Sequence, residues 1–203
     1  MSFVKLSAVT AVTVLVLGAL VGTASAGRLS SSSQTYRATF SNVEYLGVIT
    51  TPRCPLTIEG SFHPRSIPKR AGALVGYLTS AVGGTCASGS QTVLAETLPW
   101  HVRYSSFEGV LPNITAVAFD VAGLSIDIRE LTFGFHCLVR STSEAPATLR
   151  LTREASGALT RAALGGRING TGTPCEGLPI TLQGSSTSLT VPSGTTRITL
   201  TLI

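Results

Sequence analysis

Apolar and polar residues alternate along most of the chain. Leu56, Ile58 and Phe62 are interleaved with Thr57, Glu59, Ser61 and His63, and Trp100, Val102 and Tyr104 with His101, Arg103 and Ser105. Leu124, Ile126 and Ile128 alternate with Ser125, Asp127 and Arg129, and Leu149 and Leu151 with Arg150 and Thr152; near the C-terminus Ile198, Leu200 and Leu202 oppose Arg197, Thr199 and Thr201. A period of two puts successive side chains on opposite faces of a strand, so these segments read as strands with one face in the core and one in water. Turn signals separate them: Gly83-Gly84, Pro112-Asn113, Ser156-Gly157, Asn169-Gly170 and Pro192-Ser193-Gly194. Short strands at this spacing predict an all-β protein, an antiparallel β-sandwich or a small barrel. Residues 71–82 depart from the pattern, being apolar on both faces around Gly72-x-x-x-Gly76. They read as a central strand buried on both sides or a short helix, too short to cross a bilayer.

The N-terminus follows a different logic. Lys5 precedes an uncharged run from Leu6 to Gly22, and Ala24-Ser25-Ala26 supplies the small residues a signal peptidase admits, so residues 1–26 read as a signal peptide cleaved before Gly27. No Cys follows the apolar run to take a lipid, and no Arg pair precedes it. The expectation is a secreted, extracellular or periplasmic protein with no stable membrane anchor. Residues 27–34, with their run of serines, are expected to be a flexible lead into a single domain over 35–203. Residues 165–175, rich in Gly and Thr, are expected to be a mobile loop unless Cys175 tethers it.

Composition narrows the class. With 43% hydrophobic and 12% charged residues, the chain is neither a disordered polyelectrolyte nor a coiled coil. A domain of this size buries roughly 70% of the unfolded chain's surface, enough for a substantial core. The formal net charge of +5 loses one unit when Lys5 leaves with the leader. The arginines are scattered among acids instead of gathered in a stripe, which argues against a nucleic-acid partner. The four Cys of an exported chain read as two disulfides. Of the three possible pairings, Cys54–Cys86 and Cys137–Cys175 are each centred on a turn-like stretch, Pro64–Gly72 and Glu154–Gly157. A hairpin places residues equidistant from its turn opposite one another, so these two pairings are favoured.

Side-chain chemistry is sparse. The chain contains no Gly-x-Ser-x-Gly, no His-Glu-x-x-His, no phosphate-cradling loop and no Asp-rich calcium loop. No cofactor is expected, and no metal, because the one adjacent Cys/His pair, His136-Cys137, points to opposite faces of a strand. His63, His101 and His136 are the only imidazoles, all on the outward side of the pattern. Glu59, Glu96 and Glu108 are the carboxylates nearest Trp100 in sequence, and Asp120 and Asp127 read as surface acids. Trp100, after Pro99, belongs either to the core or to a surface platform with His101, Arg103 and Tyr104.

The block Leu94-Ala95-Glu96-Thr97-Leu98-Pro99-Trp100-His101-Val102-Arg103-Tyr104, continued by Phe107-Glu108-Gly109 and Leu111-Pro112-Asn113-Ile114, resembles a group of small secreted bacterial proteins that share such a core after a signal peptide. The resemblance implies an exported bacterial β protein and transfers no activity. The expected function is that of a non-catalytic module binding a glycan or protein at the cell envelope or outside the cell. The alternative is a secreted hydrolase with His101 or His63 as base. A third reading makes residues 71–82 a membrane-inserting hairpin.

Overall fold

The computed structural model describes residues 27–47, 51–131, 134–187 and 189–203; the leader read at residues 1–26 lies outside them. The described strands are β1 (Arg28–Ser31), β2 (Thr35–Leu46), β3 (Arg53–Phe62), β4 (Ser66–Pro68), β5 (Leu74–Gly83), β6 (Thr85–Cys86), β7 (Gly89–Val93), β8 (Trp100–Val110), β9 (Asn113–Ala122), β10 (Ser125–Glu130), β11 (His136–Arg140), β12 (Ala147–Arg153), β13 (Leu159–Thr171), β14 (Pro179–Ser186) and β15 (Leu200–Leu202). Their pairing closes on itself. Strands β12, β9, β8, β5, β3, β2, β14 and β13 are hydrogen-bonded in that order, and β13 returns to β12, every junction being antiparallel. Of the two expected architectures, this ring is the barrel, and closure removes the exposed sheet edges that an open sheet would leave.

The long strand β13 also starts a second layer. Its first half pairs with β12, from Arg153↔Leu159 to Thr148↔Gly165, and its end pairs with β11, from Arg140↔Asn169 to Leu138↔Thr171. From β11 the sheet runs on through β10, β7 and β6 as a four-stranded extension. A separate small sheet, β15-β1-β4, ties the N-terminal residues to the C-terminus.

Trp100, Tyr36, Tyr45, Phe40, Phe62 and Phe119 are the largest fully buried side chains. Four buried rings meet in a chain, with Tyr36–Phe62 centroids 4.8 Å apart, Phe62–Phe119 5.8 Å and Tyr104–Phe119 6.2 Å. Each buried aromatic or branched side chain is worth about 1.5–3 kcal/mol of transfer free energy, so a filled interior of this kind carries the fold. The chain meets the packing with a missing side chain where it must: a Cβ on Gly60 would overlap the Tyr36 ring. The outer wall is polar, with Arg37, Thr39, Thr57, Glu59 and Gln183 facing out. That polarity is opposite to that of an outer-membrane barrel, which is apolar outside.

Both favoured disulfides are present, Cys54–Cys86 and Cys137–Cys175. The hairpin reasoning holds for each: β3 pairs with β5 from Phe62↔Gly76 to Leu56↔Gly83, and β12 and β13 fold about the Ser156 turn. Each bridge also joins the two layers. Cys54 on β3 reaches β6 of the extension, and Cys137 on β11 reaches the turn after β13. Two buried disulfides fit an oxidising compartment.

Several local expectations need correction. Gly27–Gln34 is not a loose lead: Leu29 is fully buried, with Ile67 on one side and Leu202 on the other. Residues 71–82 do contain a central strand, clamped between β3 and β8, but only one face is covered; Val75 and Leu78 are buried while Val82 is 62% exposed. A strand hydrogen-bonded along both edges is not free to leave as a membrane-inserting hairpin. Residues 165–171 are strand, not loop, and Asn169-Gly170 is not a turn; the turn comes after Thr171 and is tethered by Cys175. Asp127 is buried, because β10 lies between β11 and β7 and its carboxylate is covered by His136 and Arg129.

Candidate functional site

The segment from Trp100 to Tyr104 divides between the two sides of the barrel wall. Trp100 is fully buried and its Nε1 donates to Thr97 Oγ1 at 3.0 Å; Tyr104 is also buried, while His101 is exposed and Arg103 half-buried. Alternation on β8 turns Trp100 and Tyr104 inward and His101 and Arg103 outward, so the four do not form one surface platform. Instead, His101 meets Tyr77 of β5, whose ring is flanked by His63 as well. The Tyr77 centroid lies 4.8 Å from that of His63 and 5.4 Å from that of His101. The interplanar angles of 54° and 67° leave an uneven strip, without a flat stacking surface.

His136 sits elsewhere, on the extension, with Nε2 2.5 Å from Asp127 Oδ1. Arg129 Nε donates to Asp127 Oδ2 at 3.2 Å. The candidate bases His63 and His101 thus have a ring for a neighbour, and the His–carboxylate pair is formed by the third imidazole. The acids near Trp100 in sequence are dispersed. Glu59 is paired with Arg37 at 2.5 Å, Glu108 with Arg150 at 2.5 Å, and Glu96 lies exposed on the short 3-10 helix Ala95–Thr97. Among the described residues there is no group of three His, Cys, Asp or Glu side chains placed to hold a metal ion.

A concavity lies on the far wall, across β2, β14, β13 and β12. It is an open groove of about 540 Å³. The register sets its floor and rims. Glu44, Gln183, Gly165 and Thr148 form one outward row across the four strands, and Ser185, Ala163 and Arg150 form the next, with Asn42 beside Ser185. The middle of both rows is occupied by glycine and alanine, so the longer side chains on either side stand above a bare strip of strand. Gly165 is the informative residue. A Cβ there would meet only the Leu182 carbonyl oxygen, at an ordinary 3.5 Å. Packing therefore does not require glycine, and a glycine in a strand interior costs stability unless something approaches the backbone closely.

The groove's charges are mostly satisfied within the protein. Arg150 donates through Nε and Nη2 to the two oxygens of Glu108 at 2.6 and 2.5 Å, and this guanidinium holds the Glu108 carboxyl below its ordinary pKa. Glu44 is paired with Arg53 at 2.8 Å. Arg161 lines the groove, is exposed, and has no ion pair among the described residues. Asn42, Gln183, Ser185 and Thr148 add amide and hydroxyl groups that both donate and accept. Such a surface suits a ligand with many hydroxyls. Sequence reading missed it because its side chains come from four segments joined only by non-local pairing; the one local signal was an outward Gly inside a strand. Comparison of the chain with protein-family models, curated proteins and solved structures yields no match.

Proposed function

We propose that the protein is an exported, non-catalytic barrel module that binds a glycan in the groove across β2, β14, β13 and β12. The observation that carries this reading is the outward Gly165, a strand glycine that neither packing nor a left-handed backbone requires, lying at the floor of a cleft rimmed by amide, hydroxyl and guanidinium groups. Hydroxyl-rich ligands are recognised by such paired donors and acceptors, and a bare floor lets a sugar chain lie against the strands. The leader and the two disulfides are consistent with encounter outside the reducing cytosol.

The test is titration calorimetry of the mature protein against a panel of envelope and extracellular oligosaccharides, repeated with Gly165→Trp. The indole fills the groove while the strand keeps its backbone geometry. Binding by the wild type and its loss in a folded Gly165→Trp protein support the reading; equal binding by both overturns it. A hydrolase would have to move the base from His63 or His101 to His136, the imidazole that meets a carboxylate, Asp127. It requires product release from one of these glycans that disappears in His136→Asn.

A further inference from the structure

We infer that the groove selects an acidic glycan, one bearing a carboxylate or sulfate, and that Arg161 is the residue that selects it. The inference rests on the proposed glycan-binding reading and adds the charge of the ligand.

The argument is one of charge accounting within a small area. Three groups with full charges line the groove besides Arg161 or reach its rim through a partner: Glu44, Arg150 and, behind Arg150, Glu108. Glu44 is neutralised by Arg53, and Arg150 by a two-pronged pair with Glu108. Arg161 is opposite Thr152, and Arg150 is opposite Ala163, so the two arginines are diagonal neighbours on one face of the β12–β13 pair. Two guanidiniums at diagonal spacing repel one another. Glu108 relieves that repulsion on the Arg150 side only, which leaves Arg161, among the described residues, as the groove's one charged side chain without an ion-pair partner. A guanidinium fork matches the oxygens of a carboxylate or sulfate in a way that an ammonium does not. The neutral donors and acceptors of Asn42, Gln183, Ser185 and Thr148 then remain for hydroxyls. The division of labour is clear: Arg161 reads the anion and the rest of the rim reads the sugar.

The experiment uses the mature, oxidised protein and matched pairs of oligosaccharides: uronate oligomers against their methyl esters, and sulfated against desulfated chains. Dissociation constants are measured at low and at high NaCl for wild type, Arg161→Gln, Arg161→Lys and Gly165→Trp. At least one acidic member should bind about tenfold more tightly than its neutral counterpart at low salt, as expected of a partly exposed charge-assisted pair. Arg161→Gln should bring the ratio of acidic to neutral affinity close to one, Arg161→Lys should restore part of it, and salt should erode it. Uronate and sulfate arms separate the two sources of negative charge. If neutral and acidic members bind wild type equally, or if Arg161→Gln keeps the preference, the inference fails while the groove reading survives so long as Gly165→Trp abolishes binding. If no member of either series binds, or if Gly165→Trp binds them all, the groove reading fails and the inference with it.

Discussion

Removing one disulfide gives a sharp quantitative test of the two-layer architecture. The bridges close sequence separations of 32 and 38 residues. Treating the effect as lost chain entropy in the unfolded state, each is worth about 4 kcal/mol, and the longer loop exceeds the shorter by only ~0.2 kcal/mol. Cys54, Cys137 and Cys175 are fully buried and Cys86 nearly so, which favours alanine over serine as the replacement. The Cys54→Ala/Cys86→Ala and Cys137→Ala/Cys175→Ala proteins should each melt roughly 8–16 °C below wild type by calorimetry, since a domain of this size moves about 2–4 °C per kcal/mol. Hydrogen exchange should then localise the loosening to the four extension strands, because each bridge joins one of them to the barrel. A loss below ~1 kcal/mol for either pair, or a gap above ~2 kcal/mol between them, would refute the chain-entropy argument. Exchange that quickens uniformly around the ring would refute the division into layers.

Other consequences follow from the core and the outer wall. Trp100→Ala should cost about 3–5 kcal/mol, read by urea titration, because it empties a fully buried site and removes the indole hydrogen bond to Thr97 Oγ1. As the only tryptophan, Trp100 should emit at short wavelength and resist iodide quenching, and its spectrum should not move when ligand fills the opposite wall. Tyr45→Phe should cost about 1–2 kcal/mol, since it removes the donor 2.7 Å from the buried Gln91 Oε1. Burial pushes the Tyr36 and Tyr45 phenols above their ordinary pKa. Their folded pKa values being raised, stability should be flat below about pH 10, where unfolded tyrosine keeps its proton, and fall above it by about 1.4 kcal/mol per pH unit for each phenol. Urea midpoints at pH 9 and pH 11 check this.

The strand pattern was legible because the barrel wall has one dry face and one wet face, and a period of two records that difference at Leu56–His63 and Trp100–Ser105. The disulfide pairing was legible for a related reason, since a hairpin is a local symmetry of the sequence. Closure of the ring was not. It depends on β2 meeting β14, with Leu46 opposite Thr181, a contact no local window contains. Leu29 was misread with the serines around it because its burial comes from Ile67 and Leu202, partners far along the chain. Asp127 was misread because alternation reports a wet face only where no second group covers it, and His136 and Arg129 do so here. The groove shares this character, as its floor is a sequence-local Gly165 but its rims are assembled by register.

The most direct test of the groove is to map ligand contact by amide chemical shifts on labelled protein spanning residues 27–203, titrated with the tightest-binding member of the glycan panel. Perturbations should concentrate at Asn42, Glu44, Thr148, Arg161, Ala163, Gly165, Gln183 and Ser185, with His63, Tyr77 and His101 on the other wall unmoved. Perturbations centred on His63, Tyr77 and His101, or on His136 and Asp127, would contradict it.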